Sequence, residues 1–287
     1  MPKLNQFIAL GDSLTEGLSD KYPDGSYRGW ADRVADEMSK HDSNFRYANL
    51  AVRGKLIEQV VADQLQVALP WMQQAQTLVT FHAGANNVLR PKFEPEQVFE
   101  TYRNAVSQIS GTGAKLLLFT VREVSNPQTK TQHYWNQRFG PFNENVKRVA
   151  TEFGATVMDA NSREVFGDPR MLASDRLHLS TEGHRRVTAA VLSAIELPHD
   201  SDWQDPMAIP AANTSRRTQP TTKLRLAVMV QEVYPLVPTE LNVHRDIGRV
   251  SINPLCRNST VQHRRVMCCQ PSCSSIPLTT EAPSPLW

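Results

Sequence analysis

The 287-residue chain has no cysteine before residue 256, no excess of one charge and no long apolar run. The runs fall short of the roughly 18 apolar residues that a membrane-spanning helix needs. Its 31 basic and 29 acidic residues give a formal net charge of +2, which argues against nucleic acid or an anionic membrane surface as a partner. Residues 1–6 do not form the basic start of a signal peptide. We therefore expect a cytoplasmic protein without stable membrane insertion.

Glycine, cysteine and proline are distributed unevenly between the parts of the chain before and after residue 200. Twelve of the 13 glycines lie before residue 200, whereas all four cysteines and ten of the 19 prolines lie after it. We predict a folded domain over residues 1–200 and a Pro/Ser/Thr-rich, largely disordered tail over 201–287. The tail contains a cluster of five residues of types that can bind a metal, but their spacing fits no recognised zinc site: Cys256, His263, Cys268, Cys269 and Cys273. A loosely ordered tail is favoured over a metal site.

The first 200 residues alternate between short apolar runs and amphipathic segments. The apolar runs predict strands at about 5–10, 45–51, 77–84, 114–121 and 155–160. The amphipathic segments predict helices at about 28–40, 55–69, 95–109, 139–153 and 181–196. This alternation is typical of a parallel sheet with helices on both faces. In such sheets the functional groups lie in loops beyond the carboxyl ends of the strands.

Ser13 follows the first predicted strand and is the candidate nucleophile. The surrounding residues lack G-x-S-x-G, so the site differs from the nucleophile elbow of α/β-hydrolases. A serine hydroxyl needs a base to take its proton, and His178 follows the last predicted strand at the same sheet edge. A turn between Asp175 and His178 brings positions i and i+3 within about 7 Å, so the carboxylate can orient the imidazole.

Of the other histidines, His82 and His184 are interpreted as structural, and the rest lie in polar segments. His82 lies inside the third strand, and we expect a buried imidazole whose nitrogens have hydrogen-bond partners. His184 shares a helix face with Val187 and Val191, so we expect it to pack on the sheet. Asp12, the neighbour of Ser13, is a weaker candidate than Asp175 for orienting the base.

Three loops offer hydrogen-bond donors for a developing oxyanion, each directly after a predicted strand. Gly54 can present its backbone N–H in a conformation that other residues resist. Asn86 can present its side-chain amide, and Ser13 its own backbone N–H. The joint occurrence of three such donors is a stronger signal than any one of them, because each residue type alone is common in turns.

Four segments together resemble the sequence blocks of the SGNH hydrolases, also called GDSL-type esterases and lipases. The segments read FIALGDSLTEG, NLAVRGK, AGANNVLRP and DRLHLSTEGH, and they occur in order over about residues 5–197. The segments YRGWADR and LHLSTEGHRRV resemble bacterial, especially actinobacterial, members. The resemblance implies a flavodoxin-like three-layer α/β/α sandwich with a five-stranded parallel sheet.

The resemblance also implies a site and a chemistry. It implies Ser13 as nucleophile, Asp175 and His178 as its triad partners, an oxyanion hole from Ser13, Gly54 and Asn86, and neither cofactor nor metal. The implied activity is hydrolysis of carboxylic esters through an acyl-serine intermediate. Short-chain esters, acetylated sugars, thioesters and lysophospholipids all stay open as substrates. The alternative is a degenerate member that binds a small molecule or carbohydrate without catalysis.

Two further expectations concern residues around this site. The third block commonly reads G-x-N-D, whereas this chain has Asn87 in place of the acid. We expect a looser loop and reduced activity from the loss of that charge. Tyr134 and Trp135 fall on the predicted long loop after the fourth strand, where they could line an acyl or sugar pocket. A nucleotide-binding module is disfavoured because neither G-x-x-x-x-G-K-[ST] nor G-x-G-x-x-G occurs.

Overall fold

Five parallel strands form one sheet in the computed structural model, which describes residues 4–72 and 76–208. The strands are β1 (Gln6–Gly11), β2 (Arg46–Asn49), β3 (Thr77–His82), β4 (Lys115–Phe119) and β5 (Thr156–Met158). Their order across the sheet is β2-β1-β3-β4-β5. Helices cover both faces, so the predicted three-layer α/β/α architecture is confirmed.

The helices that connect the strands fall mostly where the apolar periodicity predicts them. They are α1 (Ser13–Glu16), α2 (Trp30–Ser39), α3 (Ile57–Val60), α4 (Gln66–Ala68), α5 (Ala85–Val88), α6 (Pro95–Ser110), α7 (Lys130–Phe153) and α8 (Thr181–Ala194). A π-helical turn joins α3 to α4. The predicted helix at 55–69 is therefore one continuous helical segment whose middle turn is wider than an α-helical turn.

The strand order places a topological switch point beside β1. β1 pairs with β2 on one side and with β3 on the other, so the chain runs in opposite directions across the sheet from there. A crevice opens at the carboxyl ends of strands where the order reverses in this way. The loops that follow β1 and β3 carry Ser13 and Asn86.

The two faces of the sheet bury separate apolar clusters. Ile8 and Leu10 of β1 face the layer that contains α3, α6 and α7. Phe7 and Ala9 face the layer that contains α2 and α8. All four side chains are fully buried. A strand covered on both faces has no polar side to alternate with, which explains why β1 appears in the sequence as a continuous apolar run.

Helix α7 begins nine residues before the predicted start, so the predicted loop and helix boundary is wrong there. Thr129 accepts a hydrogen bond from the Gln132 N–H, and the Gln132 side chain accepts from the Thr129 N–H. This capping box starts the helix within a segment whose polar composition suggested a loop. Pro141 lies inside the helix without ending it. Tyr134 and Trp135 therefore lie on a helix.

The packed structure continues a few residues past the predicted boundary at residue 200. Trp203 is buried in the cluster that faces α2 and α8. Arg186 of α8 is also buried, and its Nη1 donates to the backbone carbonyls of three residues of this segment, Asp202, Trp203 and Asp205. The rest of the predicted tail, residues 209–287, lies outside the described residues.

Candidate active site

Ser13 lies at the start of α1, directly beyond the carboxyl end of β1. The chain reaches this position through Gly11, whose φ is +156°. A Cβ on Gly11 would lie 2.5 Å from the carbonyl oxygen of His82, so only glycine fits between the two strand ends. Asp12 caps α1 by accepting a hydrogen bond from the Leu14 N–H. Ser13 is thus held in a buried position, 5 % exposed, at the edge of the crevice.

His178 and Asp175 meet Ser13 in one chain of hydrogen-bond contacts. The distance from Ser13 Oγ to His178 Nε2 is 3.0 Å, and the distance from His178 Nδ1 to Asp175 Oδ2 is 2.7 Å. The second Asp175 oxygen, Oδ1, accepts from the Leu177 and His178 N–H groups, both at 3.0 Å. The structure therefore brings together the three residues whose spacing predicted a nucleophile, a base and an orienting carboxylate.

The Asp175 carboxylate is held in its charged form by these contacts. Burial by itself would raise its pKa, but the hydrogen bonds from the His178 ring and from two backbone N–H groups keep the pKa below its usual value. Arg176 adopts a φ of +59°, which closes the turn between Asp175 and His178. An ionised carboxylate on Nδ1 leaves Nε2 as the nitrogen that can accept a proton from Ser13.

A short hairpin fixes the segment that carries Asp175 and His178. The Ala173 N–H donates to the His178 carbonyl, and the Ser180 N–H donates to the Met171 carbonyl, both at 2.8 Å. Ser180 also caps α8 by accepting from the Gly183 N–H. His178 is therefore held between a backbone-paired turn and the beginning of a helix.

The predicted oxyanion donors lie on neighbouring loops that Asn86 connects. Its Nδ2 donates to the Lys55 carbonyl at 3.0 Å and to Asp12 Oδ2 at 3.3 Å. Lys55 follows Gly54, which has a φ of +75°, and Asp12 precedes Ser13. The amide is thus within one residue of both predicted backbone donors. Asp12 contacts Asn86, whereas the carboxylate that contacts the His178 ring is that of Asp175.

The family comparison decides what kind of protein carries this arrangement. The model of the GDSL-like lipase/acylhydrolase family matches residues 9–186, which include three of the four blocks in full and all of the first block except its first two residues. The chain belongs to this family. The GDSL-like hydrolase is therefore a carboxylic ester hydrolase, as its resemblance to this family implied. A comparison with curated proteins finds no match.

Solved structures share the fold of this GDSL-like hydrolase at low identity. The acetylxylan esterase Axe2 from Geobacillus stearothermophilus has a TM-score of 0.56 at 19% identity, covering 69% of this chain and 98% of that chain. LAE5, an α/β hydrolase enzyme from the metagenome of Lake Arreo in Spain, has 0.55 at 19%, covering 68% and 97%. The psychrotrophic esterase EstA from Pseudoalteromonas sp. has 0.52 at 16%, covering 67% and 97%. These likenesses show the fold.

His184 is buried, and both of its ring nitrogens bond to backbone groups; its packing on the sheet stays a prediction. In the GDSL-like hydrolase its Nδ1 accepts from the Trp30 N–H at 3.1 Å, and its Nε2 donates to the Leu18 carbonyl at 3.2 Å. Burial lowers its pKa to about 4, although the Leu18 contact opposes that shift. The neutral ring therefore ties α8 to the first residue of α2 and to the segment between α1 and α2.

His82 is buried as predicted, but the expectation of satisfied ring nitrogens is wrong. Neither nitrogen has a hydrogen-bond partner among the residues that the structure describes. The ring stacks on Phe119 with centroids 5.0 Å apart. Burial lowers the pKa of His82 to about 4, so the ring is neutral near pH 7. Aromatic stacking takes the place of the expected polar contacts.

Asn87 is held firmly, which contradicts the looser loop expected from the missing acid. Its Oδ1 accepts from the Ile57 N–H at 2.8 Å, and its Nδ2 donates to both carboxylate oxygens of Glu58, at 3.2 and 3.0 Å. An aspartate could make the first contact but not the second two. The amide therefore uses a donor that the usual acid lacks.

Sequence reasoning missed a clamp between the loops that follow β1 and β2. Glu16 accepts from the Arg53 backbone N–H at 2.9 Å and from the Arg53 guanidinium at 2.7 and 3.0 Å. That guanidinium also lies 4.6 Å from the centroid of the Tyr27 ring. Glu16 and Arg53 lie 37 positions apart along the chain, so no local sequence pattern predicts their contact. The clamp fastens the residue before Gly54 to the helix of Ser13.

Tyr134 and Trp135, which are predicted to line a pocket, make contacts within α7 and with the loop that precedes it. Trp135 donates from Nε1 to the Arg122 carbonyl at 2.9 Å and packs on Phe139. Tyr134 is 48 % exposed, and its hydroxyl accepts from Arg138 at 2.8 Å. Both side chains thus have structural partners, and their role in a pocket stays a prediction.

Residues 4–72 and 76–208 contain no group of three or more His, Cys, Asp or Glu side chains that could hold a metal ion. No helix in this described part of the chain is long and apolar enough to cross a membrane. The four cysteines lie after residue 250, outside these residues.

Proposed function

We propose that this hydrolase cleaves carboxylic esters through an acyl-serine intermediate, with Ser13 as the nucleophile. The observation that carries the proposal is the 3.0 Å distance between Ser13 Oγ and His178 Nε2. A ring nitrogen at this distance can take the hydroxyl proton as the oxygen attacks the ester carbonyl carbon. Asp175, bonded to Nδ1, fixes the tautomer of the ring and stabilises the imidazolium that forms.

The reaction then proceeds in two halves. Attack by Ser13 Oγ gives a tetrahedral oxyanion, and its collapse breaks the bond to the alcohol oxygen, which takes the proton from His178. Water enters, His178 removes one of its protons, and the resulting hydroxide attacks the acyl carbon. Collapse of the second oxyanion releases the carboxylic acid and returns the proton to Ser13. Both halves use the same base and the same oxyanion donors.

Three donors are proposed for the oxyanion: the N–H groups of Ser13 and Gly54 and the side-chain amide of Asn86. The Ser13 N–H is the first of its helix, and such groups have no partner within the helix. The Asn86 amide already has two acceptors, so it must give one up when the oxyanion forms. The 3.3 Å contact to Asp12 is the longer of the two and is the one expected to break.

The protonation state of Asp12 affects how easily the Asn86 amide exchanges its contact with Asp12 for one with the oxyanion. Burial raises the pKa of its carboxyl to about 7, while the Leu14 N–H lowers it and Glu16 raises it further. A neutral carboxyl accepts hydrogen bonds more weakly than a carboxylate. Release of Asn86 toward the oxyanion therefore costs less when Asp12 is protonated.

Small acyl groups, with acetyl first, are the substrates to test. Axe2 is described as an acetylxylan esterase and as an acetyl-xylooligosaccharide esterase. Forms of Axe2 in which a serine or a histidine is replaced by alanine are described as catalytic mutants. Those descriptions apply to Axe2, and they motivate an acetyl ester as the first member of the panel.

Turnover of p-nitrophenyl acetate and p-nitrophenyl butyrate tests the proposal, with Ser13→Ala as the control. We expect the parent protein to hydrolyse at least one ester and Ser13→Ala to show only the background rate. If the parent protein turns over neither ester but binds an acetylated sugar, the alternative of a non-catalytic binding module is favoured. Undiminished turnover by Ser13→Ala would mean that another residue is the nucleophile.

A further inference from the structure

The side-chain amide of Asn87 has one orientation that its contacts can satisfy. The backbone N–H of Ile57 lies 2.8 Å from Oδ1, and only the amide oxygen can accept that hydrogen bond. The amide nitrogen must then face Glu58, whose two carboxylate oxygens lie at 3.2 and 3.0 Å. Asn87 is 7 % exposed, so water does not replace these contacts easily. The pair needs a donor on one side and a carboxylate on the other.

This pair connects the two loops that carry the proposed oxyanion donors. Glu58 and Ile57 lie in the first turn of α3, which follows Gly54 by a few residues. Asn87 follows Asn86 in α5, and Asn86 donates to the carbonyl of Lys55. The contacts of Asn87 and Asn86 therefore hold the segment 54–58 against the segment 84–87.

The charges around the pair are mixed. A cavity of about 260 Å³ lies beside it, and its lining includes both members together with Arg90, Lys92 and Glu94. The two cations offset the negative charge of Glu58, the further carboxylate adds to it, and none of the three replaces the direct contact. An acid at position 87 would place a second carboxylate oxygen about 3 Å from Glu58, and two such groups resist joint ionisation.

We infer that Glu58 and Asn87 form a charge-matched pair of positioning residues for the oxyanion donors. Glu58 supplies the carboxylate and Asn87 supplies the amide, and their contact sets the spacing between Gly54 and Asn86. The inference rests on the proposed function, because it assigns the pair a role in placing those donors. Neither member touches the reacting atoms.

A four-member series tests the matching: the parent protein, Asn87→Asp, Glu58→Gln and the double variant. Asn87→Asp keeps the oxygen that accepts from Ile57 and changes only the side that faces Glu58. We expect kcat to fall about tenfold with little change in KM, since two facing carboxylates push the segments apart. Glu58→Gln alone should cost about two- to threefold, because a neutral amide oxygen is a weaker acceptor.

The double variant is the decisive member of the series. It restores an amide facing a carboxylate with the two roles exchanged, so kcat should return to within about threefold of the parent value. Rescue of one substitution by a second is not expected from two independent losses of packing. If the double variant is as impaired as the product of the single effects, the inference is wrong.

The pH profile supplies a second readout. In Asn87→Asp the facing carboxylates share a proton at low pH, so the deficit in kcat should be smallest at the acidic end of the measurable range. The deficit should grow as pH rises and both groups ionise. The parent protein and the double variant should show no such growing difference. A deficit in Asn87→Asp that is constant with pH would contradict the charge argument.

Controls separate this inference from the proposed function. Asn104→Asp makes the same chemical change at an exposed position of α6 and should leave kcat unchanged. Melting temperatures of all four proteins report the coupling even if no ester is turned over, and the expected order is the same as for kcat. Absence of turnover in the parent protein with a rescued melting temperature would overturn the proposed function, and with it the role in placing donors, but would keep the charge matching of Glu58 and Asn87. Turnover without rescue in either measurement would overturn the pair alone.

Discussion

The two sides of the site are held in place by different kinds of contact. On the base side, Asp175 and His178 lie three residues apart in a turn that its own backbone pairs close. On the donor side, Asn86 and Asn87 reach contacts about 30 positions away along the chain. The base side is thus a local structure, and the donor side exists only after the sheet has brought distant loops together. Substitutions on the two sides should therefore fail in different ways.

The largest expected effect is on the base side, from His178→Ala. Removing the proposed base should lower turnover by about 10⁴-fold or more. His184→Ala is the matched control, because it is also a buried histidine of the same region. It should leave the Trp30 N–H unpaired, cost about 1–3 kcal/mol of unfolding free energy and keep most of the turnover. Ester hydrolysis and thermal melting of both variants would reveal an exchange of these roles.

The next effect is on the donor side, from Asn86→Ala. Loss of one oxyanion donor typically lowers kcat by about 10²–10³-fold. Asn136→Ala is the control, since that amide also bonds a neighbouring loop through the backbone of Val124. The control should lower the melting temperature and lower kcat by less than about tenfold. Equal losses of kcat in both variants would mean that Asn86 only holds its loop.

A smaller effect concerns the segment that continues past residue 200. Arg186→Ala removes a buried guanidinium that bonds three backbone carbonyls of residues 202–205, so we expect a loss of about 2–4 kcal/mol of unfolding free energy. Its neighbour Arg185 binds exposed carboxylates, and Arg185→Ala should cost about 1 kcal/mol or less. Denaturant unfolding of the two variants measures the difference. Similar losses would show that the buried contacts contribute little.

The smallest effect concerns the dependence of stability on pH. His82 and His184 have folded pKa values of about 4, below the usual value of 6.5, so the unfolded chain binds more protons than the folded chain between these values. Stability should therefore fall as the pH drops from about 6.5 toward 4. Asp12, whose pKa is raised to about 7, acts in the opposite direction over the same range and offsets one histidine.

His82→Leu isolates one part of that dependence. It replaces a ring whose nitrogens have no partner in the described residues with an apolar side chain, so stability at pH 7 should change little. The loss of stability between pH 6.5 and 4 should become shallower by the share of one histidine, up to about 3 kcal/mol. Denaturant unfolding at several pH values measures it. An unchanged slope would show that His82 does not resist protonation.

The difference between the two sides also explains what the sequence could and could not predict. The strands could be predicted from the sequence because a sheet covered on both faces requires continuous apolar runs, as in β1. The Asp175–His178 contact could be predicted because the two residues are only three positions apart. The neighbouring positions of the loops that carry the proposed donors could be predicted, since parallel strands end at a common edge.

Features that depend on contacts between residues far apart in the chain, or that lie in segments without apolar periodicity, could not be predicted in this way. Apolar periodicity does not predict the start of α7, because that segment is polar and the helix begins at a capping box of Thr129 and Gln132. The partners of Asn87 could not be read from its own neighbourhood, because Glu58 lies 29 residues earlier. The His82 ring, whose nitrogens have no hydrogen-bond partner among the described residues, packs against Phe119 from the neighbouring strand.

Covalent labelling by a fluorophosphonate probe tests the central claim, that Ser13 is a nucleophile activated by His178, most directly. Peptide mass spectrometry after reaction should find the phosphonyl group on Ser13 alone in the parent protein. Ser13→Ala should remain unlabelled with an unchanged melting temperature, and His178→Ala should react at a greatly reduced rate. Labelling of another residue in the parent protein, or full-rate labelling of Ser13 without His178, would contradict the account.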